Sequence, residues 1–270
     1  MALPFPAIDP IAIQIGPFAV RWYGLAYFAG ILLGWRYGRR LAANERLWGG
    51  RPAPVTPADI DDLLLWLTLG IVLGGRLGYA LFYEPGHFLS DPLAIARVWE
   101  GGMSFHGGLL GTILALSLFA RRRGLPLLSL LDIAAASTPF GLFFGRLANF
   151  INGELFGRPS EVPWAMVFPY GEPVARHPSQ LYEAALEGVV LFLVLRLLTH
   201  SALSLRRPGL TGATFIAGYG LARFIVEFFR EPDAQLGFVA GFLTMGMLLS
   251  LPMVLIGFAA IFWALRRRPA

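Results

Sequence analysis

Long apolar segments constrain this chain more than any other feature. Seven of them reach the length, about 17–25 residues, that a helix needs to cross the hydrocarbon core of a bilayer. They cover residues 18–38, 60–83, 104–120, 127–148, 180–200, 209–229 and 236–265. Charged residues make up only 14% of the sequence, whereas a soluble domain carries about 25%. The pattern predicts an all-α integral membrane protein with seven transmembrane helices, forming a single domain over residues 1–270.

The distribution of arginine predicts the orientation of those helices. All 22 basic residues are arginine, and thirteen lie in connections on one side of the predicted bilayer against four on the other. The thirteen are Arg36, Arg39, Arg40, Arg46, Arg51, Arg121, Arg122, Arg123, Arg206, Arg207, Arg266, Arg267 and Arg268; the four are Arg97, Arg158, Arg176 and Arg230. Because cytoplasmic loops are enriched in basic residues, we predict that the N-terminus is outside (periplasmic) and the C-terminus is cytoplasmic. The net charge of +5 is then a topology signal and gives no support to nucleic-acid binding.

Two of the predicted outer connections are longer than the others. They cover residues 84–103 and 149–179 and are rich in glycine, proline and aromatic residues. Connections of this length are often functional. Residues 86–99 are expected to form a short amphipathic stretch in the membrane interface.

Local signals place helix boundaries and contacts. Thr56, Pro57 and Asp59 combine a cap residue, a proline at the first helical position and an acid in the first turn, which is typical of a helix start. Glycines recur four residues apart at 30/34/38, 70/74/78 and 141/145. This spacing predicts close packing between helices.

Five arginines fall inside the predicted helices. They are Arg21, Arg76, Arg146, Arg196 and Arg223. Arg21 and Arg196 lie near helix ends, where a long side chain can reach the interface. Each of the other three costs about 2.5–3.5 kcal/mol at the centre of a membrane helix, so it is expected to face a cavity or an ion-pair partner. No role is assigned to Arg76.

The segment 209–229 carries a polar stripe. Tyr219, Arg223 and Glu227 are spaced by four residues and therefore share one face of the helix. Arg223 and Glu227 are expected to form an ion pair, which lowers the cost of burying both charges. An ion pair of this kind is also compatible with a purely structural role.

A denser polar group follows the segment 127–148. Arg146, Asn149 and Glu154 lie within nine residues of one another, and glycines, including Gly157, bracket them. The planar guanidinium group donates two parallel hydrogen bonds and matches the geometry of a phosphate. We therefore predict an anion-binding site at this membrane boundary.

Two histidine motifs lie on the same predicted side of the membrane. His106 is flanked by pairs of glycine, which allow close approach of the backbone. His177 precedes Ser179 and Glu183, which are interpreted as a helix cap and a first-turn acid. The predicted topology brings all four polar groups to the outer half of the membrane, where they would form a cationic cavity that suits a phospholipid headgroup.

The four motifs resemble those of the bacterial prolipoprotein diacylglyceryl transferase family. Residues 145–157 read GRLANFINGELFG, residues 101–108 read GGMSFHGG, residues 177–183 read HPSQLYE and residues 219–227 read YGLARFIVE. They follow the family's order and spacing, and the similarity extends from about Tyr23 to the last apolar segment.

The resemblance implies transfer of the diacylglyceryl group of phosphatidylglycerol to the lipobox cysteine thiol of a preprolipoprotein. A thioether forms and glycerol 1-phosphate leaves, in the bacterial inner membrane. The resemblance also implies catalytic or substrate-binding roles, with Arg146 contacting phosphatidylglycerol. The residues are Tyr23, His106, Arg146, Asn149, Glu154, Gly157, Tyr219, Arg223 and Glu227.

Activation of the thiol can follow either of two routes. His106 can act as a general base, since imidazole titrates near neutral pH. Alternatively, the arginine field can lower the pKa of the substrate thiol, because the thiolate is the reactive form. No metal or organic cofactor is expected in either case. A rival interpretation is a transporter or channel for an anionic solute, since buried charges also mark transport pathways.

Overall fold

The computed structural model describes residues 3–6, 8–170, 172–232, 238–239 and 243–267, with residues 238–239 described by their backbone alone. The described chain is mostly helical. Its α-helices are α1 (Trp22–Ala43), α2 (Pro57–Phe82), α3 (Pro85–Ser90), α4 (Phe105–Arg123), α5 (Leu127–Ile151), α6 (Ser179–Glu183), α7 (Leu191–His200), α8 (Leu210–Val226) and α9 (Met245–Arg266). A π-helical segment, Ala184–Val190, joins α6 to α7 without a break. Short 3₁₀ helices cover Glu45–Trp48, Pro92–Ala96, Val98–Glu100 and Ser204–Arg206.

The strands are short and lie in the connections. They are β1 (Leu3–Pro4), β2 (Ile11–Ile15), β3 (Phe18–Arg21), β4 (Met166–Val167), β5 (Ala175–Arg176), β6 (Phe238–Val239) and β7 (Leu243–Thr244). β1 pairs in parallel with β4, and β4 pairs antiparallel with β5. β2 with β3 and β6 with β7 form two antiparallel hairpins.

Three helices in the described part of the chain are long and apolar enough to cross a membrane. They are α2, α5 and α9, and α8 is a shorter apolar helix. Large apolar side chains remain exposed along these helices, for example Leu65, Leu81 and Leu255. Such exposure is expected where lipid, rather than water, surrounds the protein.

The first predicted apolar segment contains two elements instead of one. Residues 18–21 are not helical, because they form β3 and pair with β2, with Ile15 opposite Phe18. The hairpin turns at Gly16, whose φ of +57° is an unstrained conformation for glycine. The helix begins only at Trp22 and extends to Ala43, five residues beyond the predicted end.

Apart from the start of the last segment, the other predicted boundaries agree with the structure to within a few residues, and one capping prediction is confirmed. The Thr56 side chain accepts a hydrogen bond from the backbone N–H of Asp59 at 3.2 Å, while the Asp59 carboxylate accepts from the backbone N–H of Thr56 at 2.9 Å. This reciprocal pair fixes the start of α2. The last predicted segment, 236–265, lies partly outside the described residues, as does Arg268. Its beginning was predicted wrongly, because the described residues 238–239 and 243–244 pair as β6 and β7 and the helix, α9, starts only at Met245.

Glycines set two antiparallel contacts between helices. A Cβ on Gly70 of α2 would lie 2.6 Å from the carbonyl oxygen of Gly111 in α4, so the two backbones touch. Gly30 of α1 packs against Gly141 of α5 in the same way. The predicted close packing is confirmed at these positions, whereas Gly145 faces open space.

The connection 84–103 is held down by Arg76. The guanidinium group of this buried residue donates to a ring of backbone carbonyls and lies 5.0 Å from the centre of the Phe88 ring. The carbonyls belong to Ala94 (2.6 Å), Ile95 (3.1 Å), Arg97 (3.0 Å), Gly102 (3.2 Å) and Gly101. Arg76 therefore joins α2 to the segment that precedes His106, and it makes no contact with a carboxylate among the described residues.

Candidate active site

Six charged side chains from three parts of the chain form one ion-pair network, called the charge cluster below. Its members are Arg146, Glu183, Glu187, Arg223, Glu227 and Arg230. Glu183 lies at its centre: one carboxylate oxygen is 3.0 Å from Nε of Arg146, and the other is 2.7 Å from Arg223 and 3.2 Å from Arg230. Around it, Arg146 contacts Glu187 at 3.4 Å, and Arg223 pairs with Glu227. The predicted Arg223–Glu227 pair is confirmed.

The two signs of charge in the cluster differ in exposure. The carboxylates are buried, with side-chain exposures of 0% for Glu183 and Glu187 and 4% for Glu227. The guanidinium groups of Arg146, Arg223 and Arg230 keep 19%, 17% and 14%. The accessible side of the cluster therefore presents hydrogen-bond donors, while the acids lie behind them. An arrangement with three arginines and three glutamates is formally neutral, which makes burial of the network tolerable.

Local helix geometry places both acids beside Arg146. Glu183 ends α6 and Glu187 lies in the π-helical segment Ala184–Val190. Such wider turns are rare and occur often at functional sites. On the neighbouring turn, a Cβ on Gly188 would lie 2.7 Å from the Cβ of Phe143, so glycine lets this segment approach α5 closely.

Glu227 is held from a third direction by the start of α9. Thr244 caps this helix by accepting from the N–H of Met247 at 3.2 Å, and its hydroxyl donates to the Glu227 carboxylate at 2.5 Å. A Cβ on Gly246 would lie 2.8 Å from a carboxylate oxygen of Glu227. The last helix thus positions an acid of the charge cluster.

A second polar group lies at the end of α5. Asn149 is buried and donates to the Glu154 carboxylate at 2.8 Å. Tyr23 lies beside both residues, and its hydroxyl is 3.4 Å from that of Tyr27. The structure therefore brings Tyr23 next to Asn149 and Glu154, two residues that the sequence grouped without it.

The chain after Asn149 turns sharply and leads to Gly157. Leu155 adopts φ of +57°, a conformation that is unusual for a residue with a Cβ. Gly157 itself donates to the carbonyl of His177 at 2.8 Å, and a Cβ there would lie 2.8 Å from the same carbonyl oxygen. Close backbone packing accounts for glycine at this position.

His177 belongs to an apolar neighbourhood. Its Nδ1 is 3.0 Å from the hydroxyl of Tyr182, which accepts a hydrogen bond from Trp164 at 2.5 Å. The three side chains line a cavity of about 340 Å³ together with Val226 and Phe229. Burial lowers the pKa of His177, because desolvation disfavours the charged imidazolium.

Two predicted site residues take positions that the sequence did not specify. His106 lies exposed in the first turn of α4, and within the described residues it has no hydrogen bond or ion pair. The centre of its ring is 5.7 Å from that of Phe105. Tyr219 lies beside Arg146, Glu187 and Arg223, but its hydroxyl has no hydrogen bond to them in the described part of the chain.

Sequence reasoning missed three members of the charge cluster and assigned one side chain wrongly. The local pattern indicates only a first-turn acid at Glu183 and an outer connection for Arg230. None of the four motifs includes Glu187. Two acids four residues apart in an apolar segment were the available signal. Ser179 does not cap a helix, because its hydroxyl donates to the carbonyl of Leu155 at 3.1 Å.

Comparison with known proteins decides the family. A family model described as prolipoprotein diacylglyceryl transferase matches residues 10–263. The chain belongs to the prolipoprotein diacylglyceryl transferase family. It is therefore a transferase by membership, and no comparison supports the transporter or channel interpretation.

Relatives named phosphatidylglycerol–prolipoprotein diacylglyceryl transferase match nearly the whole chain of this family member. The protein from Rhizobium leguminosarum bv. trifolii is 60% identical, over 98% of this chain and 95% of its own length. The Rhizobium meliloti protein is 62% identical over 96% and 93%, and the Brucella anthropi protein is 57% identical over 100% and 96%. The motif resemblance found in the sequence is thereby confirmed.

Proposed function

We propose that this family member transfers the diacylglyceryl group of phosphatidylglycerol to the lipobox cysteine thiol of a preprolipoprotein, the first step of lipoprotein maturation. The sulfur attacks an sp3 carbon of the glyceryl group, the carbon–oxygen bond to phosphate breaks, and glycerol 1-phosphate leaves. The products are a thioether and a phosphate monoester. The names of the relatives give the donor and the acceptor.

The arrangement of the charge cluster carries this proposal. Negative charge grows on the phosphate oxygens as the carbon–oxygen bond breaks, and the partly exposed guanidinium groups of Arg146 and Arg223 are the donors that face a ligand. Fixed donors in a site of low dielectric stabilise such charge strongly. The carboxylates behind them hold the donors in place before the substrate arrives.

The remaining predicted residues are assigned to shaping and orienting the site. Asn149, Glu154 and Tyr23 form the polar group next to the cluster and are proposed to contact the headgroup. Gly157 is proposed to act through the close backbone packing around it. Glu227 forms an ion pair with Arg223 and is proposed to orient it. Tyr219 is proposed to line the site beside Arg223.

Two routes for thiol activation follow from the structure and make different predictions. The exposed position of His106 leaves its imidazole open to an incoming peptide, which a general base requires. The three arginines can instead lower the pKa of the thiol through their field. We favour His106 as the base, because the glutamates already offset the charge of the cluster.

The proposed setting is the bacterial inner membrane. We propose seven transmembrane helices with the N-terminus outside and the C-terminus in the cytoplasm, supported by the arginine asymmetry of the connections. In this orientation the charge cluster lies on the outer side, where a preprolipoprotein presents its signal peptide and lipobox cysteine. The lipid donor reaches the site from the bilayer.

The test of the phosphate role is the Arg146→Ala variant, assayed with a lipobox peptide and phosphatidylglycerol in detergent. A mass shift of the peptide reports diacylglyceryl addition. We expect loss of transfer by at least about a hundredfold, since removing one oxyanion donor costs roughly 10²–10³ in rate. Arg121→Ala, which removes an exposed arginine at the end of α4, is the control and should keep the wild-type rate. Normal transfer by Arg146→Ala would contradict the assignment.

His106→Gln tests the base. If His106 accepts the thiol proton, the variant fails at neutral pH and regains part of its rate above pH 8.5, where the thiol ionises without help. A rate that stays low at every pH would assign His106 to substrate positioning instead.

A further inference from the structure

A polar cavity lies at the opposite end of the helices from the charge cluster. It has a volume of about 700 Å³ and is formed by the end of α1, the 3₁₀ helix that follows, and the end of α7. The cavity is called the basic pocket below, and its polar side chains are Tyr37, Arg40, Asn44, Glu45, Arg46, Arg196 and His200. No role has been given to any of them so far.

Helix packing fixes the separation of the two sites. α1 lies antiparallel to α5, because Gly30 contacts Gly141 while Gly38 contacts Ile133 further back along α5. Arg40 therefore lies beside the beginning of α5, whereas Arg146 is near its end. The basic pocket and the charge cluster consequently lie at opposite ends of α5.

The arginines of the basic pocket differ from others at the same end in having no carboxylate partner. Within the described residues, Arg40, Arg46 and Arg196 have no ion pair within 4.0 Å, whereas Arg39 pairs with Asp61 at 3.4 Å and Arg123 with Asp59 at 3.4 Å. Glu45 is the single acid that lines the pocket. The pocket therefore carries a net positive charge that the protein does not neutralise.

Tyr37 gives independent support for a ligand. Its side chain lines the pocket and is 8% exposed, and its buried hydroxyl has no hydrogen bond within 3.5 Å among the described residues, with Thr199 and Arg196 as its polar neighbours. Contacts with the rings of Phe140 and Phe192, at 5.6 and 5.4 Å, hold the phenol in place next to Arg196. A buried polar group without a partner is costly, and most such groups bind something. A negatively charged acceptor satisfies both the hydroxyl and the arginines.

We propose that the basic pocket binds the phosphate of an anionic phospholipid from the leaflet at that end of the protein. Arginine forks and a tyrosine hydroxyl are suitable donors for a phosphodiester. Exposed apolar side chains, including Leu193 and Leu197, flank Arg196 on α7 and offer a surface for acyl chains. A free phosphate compound shares the headgroup chemistry but makes no use of that surface. The proposal does not depend on the proposed catalytic function.

Native mass spectrometry of the delipidated full-length protein tests the site. The protein is titrated with dioleoylphosphatidylglycerol, in the presence of the zwitterionic dioleoylphosphatidylcholine as a competitor. The triple variant Arg40→Ala/Arg46→Ala/Arg196→Ala is expected to bind one phosphatidylglycerol fewer than wild type. The control triple variant Arg51→Ala/Arg121→Ala/Arg122→Ala removes the same charge from equally exposed positions that do not line the pocket and should bind as wild type. Equal loss in both triple variants would overturn the proposal in favour of diffuse attraction.

A milder variant and a second ligand complete the test. Tyr37→Phe keeps the fold and removes only the unpartnered hydroxyl, so we expect affinity for the pocket lipid to fall roughly tenfold, with transfer activity retained. Unchanged affinity in Tyr37→Phe would refute the role of that hydroxyl and, with it, the geometry of the site. Inorganic phosphate is titrated in parallel. If the wild-type pocket binds phosphate but no phospholipid, its ligand is a soluble phosphate compound and the proposal is overturned.

Discussion

Replacing Glu183 by glutamine removes the one carboxylate that contacts all three arginines of the charge cluster. Its oxygens lie 3.0, 2.7 and 3.2 Å from Arg146, Arg223 and Arg230, and its side chain is fully buried. Glutamine has nearly the same volume, so the substitution creates no cavity. It places an amide N–H against guanidinium donors in either orientation of the side chain.

The expected cost can be worked out from these contacts. Removing one partner of a buried ion pair costs about 3–5 kcal/mol. The lower end applies here, because each arginine keeps a second carboxylate, Glu187 or Glu227, and part of its exposure. A loss of about 3 kcal/mol changes the unfolding equilibrium by more than roughly a hundredfold. Transfer should fall at least about tenfold, because the substitution displaces the donors that are proposed to contact the phosphate.

Glu172→Gln is the matched control. Glu172 is 80% exposed and lies 4.0 Å from Arg176, so its removal should leave stability unchanged within error, as is usual for exposed pairs. Chemical unfolding in detergent micelles, followed by tryptophan fluorescence, measures both variants, and the peptide mass assay measures transfer. If Glu183→Gln unfolds and transfers like Glu172→Gln, the central role of Glu183 is refuted.

Three further predictions concern residues outside the donor set. Thr244→Val should lower the free energy of unfolding by about 1–3 kcal/mol and slow transfer, because it leaves the buried Glu227 carboxylate without its hydroxyl donor; Thr244→Ser should restore both. Asp132 is buried and accepts two backbone N–H bonds of 2.7 Å at the start of α8, so Asp132→Ala should cost about 2 kcal/mol in the same unfolding assay, and Asp132→Asn less. Burial lowers the pKa of His177 below its unfolded value near 6.5. The unfolded chain therefore binds more protons in acid, and stability should fall as the pH drops from 7 to 5, a dependence that His177→Gln should weaken.

Features set by local patterns could be predicted from the sequence. The capping box at Thr56 and the Arg223–Glu227 pair depend on residues three or four positions apart, whose geometry within a helix is fixed. The glycine contacts of α2 follow from spacing alone. The membrane class followed from composition and segment length.

Features set by long-range contacts could not be predicted in the same way. Glu183 meets Arg146, Arg223 and Arg230 only because helices distant in sequence pack together, and no local spacing encodes that. The predicted topology placed His106 on one side of the membrane, but it did not indicate that the side chain is exposed and without a hydrogen bond or ion pair among the described residues. The β-hairpin before Trp22 was hidden because its strands are as apolar as a helix.

The backbone contact between α2 and α4 determines where the protein can let a lipid through. Gly70 and Gly111 leave no layer of side chains between the two helices, so there are no rotamers that could swing aside and no gap that could widen gradually. The two helices are expected to move as one rigid unit, since closely packed surfaces of this kind do not deform continuously. A diacylglyceryl donor that arrives laterally from the bilayer must therefore enter between other helices, where side chains that can move separate the two backbones.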